Sequence, residues 1–174
     1  VPELQFDRVM VDAGRAESKG IEVTASSGSA EDDLFWWVSY VWSEVEDTTA
    51  DGKMKRSWDQ THAGKLGVSW RWRDWDISVA GEVHTGWPRT LIDTDINALR
   101  YSVFHTLDAR ISRDFELRRG SLTAFFEITN LYNRDNACCT EYTLQQQGDG
   151  DEMLVGRERH WLPVVPSLGV VWRF

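Results

Sequence analysis

The segment that decides the fold is THAGKLGVSWRWRDWDISVAGEVH, residues 61–84. Before the dipeptide Arg73-Asp74, the residues Leu66, Val68 and Trp70 alternate with small or charged residues, and the alternation continues after the dipeptide. A period of two is typical of a β-strand with one apolar and one polar face, and a two-residue connection is typical of a hairpin. The segment therefore predicts two antiparallel strands joined by a tight turn.

The same alternation recurs in seven segments of the chain. They cover residues 18–27, 33–45, 61–72, 75–84, 106–115, 121–129 and 167–174. Short connections (28–32, 73–74 and 116–120) alternate with long ones (46–60, 85–105 and 131–166). Strict alternation puts all short turns at one end of an antiparallel sheet and all long loops at the other, as in outer-membrane barrels. Soluble sandwiches with Greek-key crossovers seldom have this arrangement.

The two faces of the predicted strands differ in polarity. One carries Ile, Val, Leu, Phe and Trp, whereas the other carries charged residues that we expect to line a polar lumen: Glu22, Lys65, Arg71, Glu82, Asp108, Arg110 and Glu127. Aromatic residues of the apolar face collect near the short turns, where a girdle at a lipid–water boundary would lie: Trp36, Trp70, Trp72, Trp75 and Phe115. The pattern predicts an all-β fold, an antiparallel transmembrane β-barrel of the outer-membrane type, to which this chain supplies about seven strands.

Composition agrees with this interpretation and excludes other classes. Ten tryptophans in 174 residues exceed what a soluble core uses, because each buried indole N–H needs a partner. The mean hydropathy of -0.44 resembles that of a soluble protein, but alternating strands hide the membrane signal in the average. The formal net charge of -9 argues against nucleic acid as a partner.

The two cysteines, Cys138 and Cys139, are adjacent. They are compatible either with a strained vicinal disulfide in a loop or with two thiols. Adjacent cysteines lack the spacing of a metal site. Glu82 and His84 share the luminal face, where they are either a ligand pair or ordinary lining residues. We expect no metal, no cofactor and no enzymatic activity, because no nucleophile, base and acid fall into a catalytic pattern.

The final residues, PSLGVVWRF, place Ser167, Gly169, Trp172 and Phe174 in the order polar, Gly, aromatic, aromatic. This order resembles the signal by which the assembly machinery recognises the last strand of an outer-membrane barrel. A strand that ends in lipid-facing aromatics can pair by its free edge with the machinery, and later with the first strand of its own barrel.

Three internal runs, together with the terminal strand, resemble TonB-dependent outer-membrane receptors. AESKGIEVTAS, residues 16–26, resembles the family's strand with Gly, an aliphatic residue and Glu. RSWDQTHAGKLGVSW, residues 56–70, resembles the stretch that follows an extracellular loop with an Asp-Gln-x-His pattern. TLDARISRDF (106–115) and SLTAFFEITNLYNRDN (121–136) resemble the last hairpin. The ordered set covers most of the chain.

This resemblance implies a barrel of about 22 strands closed by an amino-terminal plug. Residues 1–174 would be the C-terminal part of such a barrel, without the plug, in a protein that imports a scarce nutrient such as a siderophore, cobalamin or an oligosaccharide. Its partners would be outer-membrane lipid and lipopolysaccharide, the remaining strands and plug from the same or a separate chain, TonB through the plug, and the barrel assembly machinery. The C-terminus would be periplasmic and the long loops extracellular.

Two other interpretations stay open at this point. Residues 4–11 could add an eighth strand and close a small barrel with a structural or adhesive role, although their alternation is poor. The second interpretation is a soluble β-domain that binds sugar through its tryptophans. No export signal is visible in the residues that follow Val1, so we expect that it was removed or that the amino terminus lies upstream.

Overall fold

The computed structural model describes residues 14–29, 32–50, 52–92, 94–146 and 152–174. These residues form an all-β fold that contains no helix, so the predicted fold class is confirmed at this level. The strands are β1 (Arg15–Ser27), β2 (Leu34–Thr49), β3 (Gly52–Lys55), β4 (His62–Trp72), β5 (Trp75–His84), β6 (Pro88–Arg89), β7 (Leu99–Arg100), β8 (Phe104–Glu116), β9 (Ser121–Thr129), β10 (Ala137–Gln146), β11 (Glu152–His160) and β12 (Val165–Arg173). The proposed extra strand at residues 4–11 lies outside the described residues.

Seven long strands form one antiparallel sheet, the main sheet, in the order β1-β2-β4-β5-β8-β9-β12. They correspond to the seven segments predicted from the alternation. Neighbours in the sheet are also neighbours in the sequence of these seven strands, and β3 continues the pairing beside the far end of β2. The sheet is open in the described part of the chain, with β1 and β12 at its two edges.

The connections lie at opposite ends of the main sheet, as their lengths predict. The short ones join β1 to β2, β4 to β5 and β8 to β9 at the turn end of the sheet. The tightest of them is the two-residue turn in which Trp72 and Trp75 are paired and Arg73 adopts a left-handed φ of 57°. The long connections lie at the other end, the loop end.

The pairing register collects the apolar residues on one face. Successive side chains of a strand point to opposite faces, so strands in register share the same division. One row across six strands contains only apolar residues: Leu34, Trp70, Ile77, Ile111, Phe126 and Leu168. This side of the main sheet is its apolar face, and the other side is its polar face.

The prediction of a plain loop at residues 131–166 is wrong. This region contains β10 and β11, which pair as a separate two-stranded sheet. In β10, Thr140, Tyr142 and Leu144 alternate with Cys139, Glu141 and Thr143. Because both sides of this strand carry polar residues, its hydrophobicity shows no clear period of two.

Tight packing is found at the loop end. Among the described residues, Tyr101 and Ala137 are buried with 5% and 6% of their surface exposed, and the Pro88 side chain is fully buried. The apolar face, by contrast, is open in this part of the chain. Leu168 on β12 is 83% exposed, and Val68 in the middle of the sheet is still 40% exposed.

Candidate functional site

The charged residues predicted to line a lumen all lie on the polar face of the main sheet. The register sets three bases opposite three acids: Lys65 opposite Glu82, Arg71 opposite Asp76, and Arg110 opposite Glu127. Their nitrogen–oxygen distances are 3.5, 3.2 and 3.4 Å. Glu22 lies opposite Val41 on the edge strand β1. The polar face is therefore an array of solvated ion pairs, which can hold water and a hydrated protein surface.

Asp108 differs from the other acids of the polar face. Its Oδ1 accepts hydrogen bonds from the Asn130 backbone N–H at 2.8 Å and the Thr106 hydroxyl at 3.3 Å. The carboxylate thus holds the chain where it leaves β9. The sequence predicted a lining residue, and this structural contact was not foreseen.

The predicted girdle residues lie on the apolar face toward the turn end. The Trp70 and Trp72 rings are stacked with centroids 6.2 Å apart. Between Trp75 and Phe115 lies Arg113, whose guanidinium carbon is 5.2 Å from each ring centroid. Arg113 also donates to Asp74 in the turn at 2.9 Å. Trp36 lies one apolar-face position from the Leu34 end of β2, in register with Val68.

The proposed assembly signal forms the edge strand β12 and its end. Ser167 lies opposite Glu127, Gly169 opposite Phe125, and Trp172 opposite Leu122. The Trp172 indole N–H donates to the Arg119 carbonyl oxygen at 3.2 Å, and its ring is 5.4 Å from that of Phe174. This contact joins the C-terminal aromatics to the turn between β8 and β9.

Gly169 has a steric reason for being glycine. A Cβ at this position would lie 2.3 Å from Cζ of Phe125, so the ring occupies the space that a side chain would take. The guanidinium carbon of Arg110 lies over the Phe125 ring, 4.1 Å from its centroid. Gly67 and Trp37 repeat the arrangement, since a Cβ at Gly67 would lie 2.3 Å from the indole nitrogen. On the polar face, two aromatic rings thus occupy the space above glycines.

The loop end contains a cluster that the sequence did not predict, centred on the fully buried Asp59. Its Oδ1 accepts a hydrogen bond from the Val45 N–H at 2.9 Å, and its Oδ2 accepts bonds from the Thr61 hydroxyl at 3.0 Å and from the Arg100 guanidinium. Arg100 also donates to the Gly86 carbonyl oxygen at 2.9 Å. The cluster therefore ties the first long loop to the second.

The electrostatics of Asp59 follow from these contacts. Burial alone would raise the pKa of its carboxyl group, because a charged form is disfavoured away from water. Hydrogen bonds from Arg100, the Val45 N–H and Thr61 favour the charged form more strongly, so the pKa lies below its ordinary value. Asp59 is therefore an ionised acid that holds two loops together.

Two buried asparagines organise the third long loop. The side chain of Asn136 pairs with the backbone of His105, accepting from its N–H at 3.1 Å and donating to its carbonyl oxygen at 2.8 Å. Asn130 donates to the Arg134 and Leu162 carbonyl oxygens at 2.9 and 3.1 Å. Asn130 belongs to the run that resembles the receptor family, and its role here is structural.

Aromatic rings form a second cluster at the loop end. The buried His84 ring stacks on Phe104 at 4.6 Å and is 5.3 Å from Trp87. Trp58 and Trp161 both pack edge-on against Trp87, at 5.2 and 6.1 Å, and are themselves 58% and 49% exposed. Glu82, considered as a metal-ligand partner of His84, pairs with Lys65 instead. The exposed parts of these two indoles belong to the surface of the loop end.

The sulfur atoms of Cys138 and Cys139 are 2.8 Å apart, and both residues are partly buried at the start of β10. A vicinal disulfide and two thiols stay alternative predictions for this pair. Within the described ranges, no three His, Cys, Asp or Glu side chains come close enough to hold a metal ion.

No model of a known protein family, no curated protein and no solved structure matches the chain. The resemblance to TonB-dependent receptors therefore stays a prediction from the residues quoted above. The described residues include no helix that is long and apolar enough to cross a membrane.

Proposed function

We propose that this chain is part of the barrel wall of a TonB-dependent outer-membrane receptor, with the apolar face of the main sheet in lipid and its polar face toward a water-filled, plugged lumen. The observation that carries the proposal is the composition of the apolar face. We consider the part of this face between the row of Ile21, Trp42 and His62 and the turn end. In that part, Arg113 is the one Lys, Arg, Asp or Glu that the described strands carry. Such a surface, left open by the described residues, is suited to hydrocarbon.

The extent of the apolar face supports a membrane span. A tilted strand crosses the hydrocarbon core in about 9–11 residues. β4 has 11 residues and β5 has 10. Beyond the row of Ile21 and Trp42, the same face becomes charged at once, with Lys19 paired to Glu44 at 3.0 Å. An abrupt change from apolar to charged residues is expected where strands leave hydrocarbon for the head groups.

The polar face supports the second half of the proposal. Ion pairs such as Lys65–Glu82 and Arg110–Glu127 would give a plug a hydrated surface to contact and to slide against when TonB pulls it. The chain would contribute wall and loops to the import of a scarce nutrient and would make or break no bonds itself. In this arrangement the long loops are extracellular and the C-terminus is periplasmic.

Cysteine labelling in intact cells tests the membrane orientation. In a background with Cys138→Ser and Cys139→Ser, a Leu144→Cys variant places a thiol in the loop-end hairpin, and an Arg118→Cys variant places one in a short turn. A membrane-impermeant maleimide should label position 144 in intact cells and position 118 only after the outer membrane is opened. Equal labelling of the two positions in intact cells, or a protein that stays monodisperse without detergent, would contradict the proposal.

The receptor function needs a separate test. The coding sequence upstream of Val1 should encode a plug, and the protein purified together with that plug should bind the purified periplasmic domain of TonB. A membrane-inserted protein with no plug and no TonB binding would support the small structural or adhesive barrel instead. A sugar-binding soluble domain would be indicated by solubility in plain buffer, with the apolar face packed inside its own core.

A further inference from the structure

One arginine interrupts the apolar face. Arg113 is the one Lys, Arg, Asp or Glu that the described strands carry on this face between the row of Ile21 and the turn end. The register places it between Trp75 on β5 and Ala124 on β9, level with Trp72, the last residue of β4. A charged side chain on a face that meets hydrocarbon needs a partner or a route to water. The surroundings of Arg113 indicate which partner suits it.

Two aromatic rings hold the Arg113 guanidinium in place. Its carbon lies 5.2 Å from the ring centroid of Trp75 and 5.2 Å from that of Phe115. Contact with the faces of two rings favours the cation and limits the motion of the long side chain. Less side-chain freedom is then lost when the planar guanidinium binds a further group. The Arg113 side chain is still 36% exposed, so a ligand on the apolar side can reach it.

Arg113 uses little of its hydrogen-bonding capacity within the described part of the chain. Its Nη2 donates to Oδ2 of Asp74 at 2.9 Å, and its buried Nε has no partner among the described residues. A guanidinium offers five N–H donors, arranged to match the oxygens of a carboxylate or a phosphate. The remaining donors of Arg113 are therefore suited to a phosphate that approaches from the apolar side.

The carboxylate of Asp74 places a negative charge beside this guanidinium. Asp74 lies in the two-residue turn and its side chain is 68% exposed. Within the described ranges, its Oδ2 accepts from Arg113 and its Oδ1 accepts no hydrogen bond. A simple anion at Arg113 would be repelled by this carboxylate, whereas a ligand with adjacent negative and positive groups would be attracted to both side chains. The charges of the pair therefore favour a zwitterion.

We propose that Arg113 and Asp74 bind the head group of one phosphatidylethanolamine molecule in the leaflet at the turn end. The phosphate accepts hydrogen bonds from Arg113, the ammonium donates to Asp74, and the acyl chains lie along the apolar face beside Trp75 and Phe115. Tryptophan is enriched at the depth of the head groups, which agrees with the level of this site. The inference rests on the proposed function for the presence of a membrane at this face. The contacts of the pair do not depend on it.

Native mass spectrometry of the detergent-purified protein tests the site. The protein is offered equal amounts of phosphatidylethanolamine, phosphatidylcholine and phosphatidylglycerol with identical acyl chains, and the first bound lipid is identified. Phosphatidylethanolamine should be preferred about tenfold over each of the others, because choline has no N–H to donate and glycerol has no positive charge. In Asp74→Asn this preference should disappear. In Arg113→Gln the binding of all three lipids at the site should weaken about tenfold, because the phosphate loses its charged donor.

Two further variants separate recognition of the head group from general effects. Arg71 and Asp76 form a similar pair, 3.2 Å apart, on the polar face of the same hairpin, so Arg71→Gln is the matched control and should leave lipid preference unchanged. Arg113→Lys keeps the charge but loses the planar fork, so it should retain only part of the preference. If Arg113→Gln does not fold, Asp74→Asn still tests the proposal, because position 74 is an exposed turn position.

Three outcomes would overturn the proposal. Equal binding of the three lipids would mean that the surface takes any lipid. A preference for phosphatidylglycerol would mean that Arg113 acts with the nearby Arg73 on net negative charge. Binding of free O-phosphoethanolamine as tight as that of the lipid would mean that the ligand is soluble. Maleimide labelling of Leu144→Cys and Arg118→Cys separates these failures from failure of the proposed function. The expected labelling without a lipid preference removes only the head-group site, whereas equal labelling in intact cells removes the membrane assignment and this site with it.

Discussion

In the main sheet the apolar side chains are exposed, whereas at the loop end most of the buried side chains are polar. Val68 and Leu168 lie open on the sheet, while Asp59, Asn130 and Asn136 are buried among the loops. The sheet is specified by local alternation, and the described residues leave its apolar face uncovered. The loop end is specified by side-chain hydrogen bonds, and its buried polar groups bond to other residues of the same region. The two regions should therefore respond differently to substitution.

The largest difference should come from a charge on the apolar face. Val79 lies at the centre of β5, so Val79→Arg should destabilise the membrane-inserted protein by about 2–4 kcal/mol, the cost of Arg at the bilayer midplane. Ala80→Arg is the matched control, because Ala80 is the exposed neighbouring position on the polar face and lies opposite Asp108; it should cost less than about 0.5 kcal/mol. Urea unfolding in lipid vesicles measures both. Equal effects of the two variants would remove the distinction between the faces.

The next effect should come from the loop end. Asp59→Ala leaves the Val45 N–H and the Arg100 guanidinium without their shared acceptor, which should cost about 2–3 kcal/mol of local stability. Hydrogen exchange at the Val45 amide should therefore accelerate while exchange in β9 and β12 stays unchanged. Asp76→Ala breaks a solvated ion pair on the polar face and should change stability by less than about 0.5 kcal/mol. Similar losses in both variants would show that burial of Asp59 does not matter.

The main sheet was predictable because alternation and short turns are local features of the sequence. The register of each strand pair was predictable only where the length of the turn was predicted correctly. The two-residue turn at Arg73-Asp74 makes Trp72 and Trp75 partners, which alone sets Lys65 opposite Glu82. The pairing of Arg110 with Glu127 could not be derived in the same way. The predicted turn at residues 116–120 was one residue too long, and a shift of one residue would put every side chain on the wrong face.

The loop end was not predictable for a different reason. Asp59 and Arg100 are separated by 41 positions, and each lies in a long connection with no period of its own. Hydrophobicity in the sequence predicts which residues are buried, but it does not predict a buried Asp. Asp and Arg are seldom buried without a partner, and the partner here is distant in the sequence. The run containing Asp59 was singled out only by resemblance, and the structure gives that residue its physical role.

A smaller effect should follow from filling the space above Gly169. A Cβ there would lie 2.3 Å from the Phe125 ring, so Gly169→Ala should cost about 1–3 kcal/mol through overpacking. The double variant with Phe125→Ala should recover part of the loss, because the ring is gone. Gly64→Ala is the matched control, since its Cβ would meet Val83 Cγ1 at 3.4 Å. If the two single variants unfolded at the same urea concentration, the glycine would have no steric role.

Acid should produce the smallest effect and should act on the loop end alone. The pKa of Asp59 is lower in the folded protein than its ordinary value, mainly because the hydrogen bonds from Arg100, Val45 and Thr61 outweigh burial. A depressed folded pKa gives stability that is complete above the unfolded pKa of about 4 and is lost as the pH falls through the folded pKa. Exchange at the Val45 amide, corrected for its intrinsic pH dependence, should therefore lose protection below about pH 4, while β4 and β5 keep theirs. In Asp59→Asn this pH dependence should vanish, because the amide cannot titrate. If the loss of protection persisted in Asp59→Asn, another acid would be responsible for it. Ionisation of Asp59 would then not explain why the loop end responds to acid while the main sheet does not.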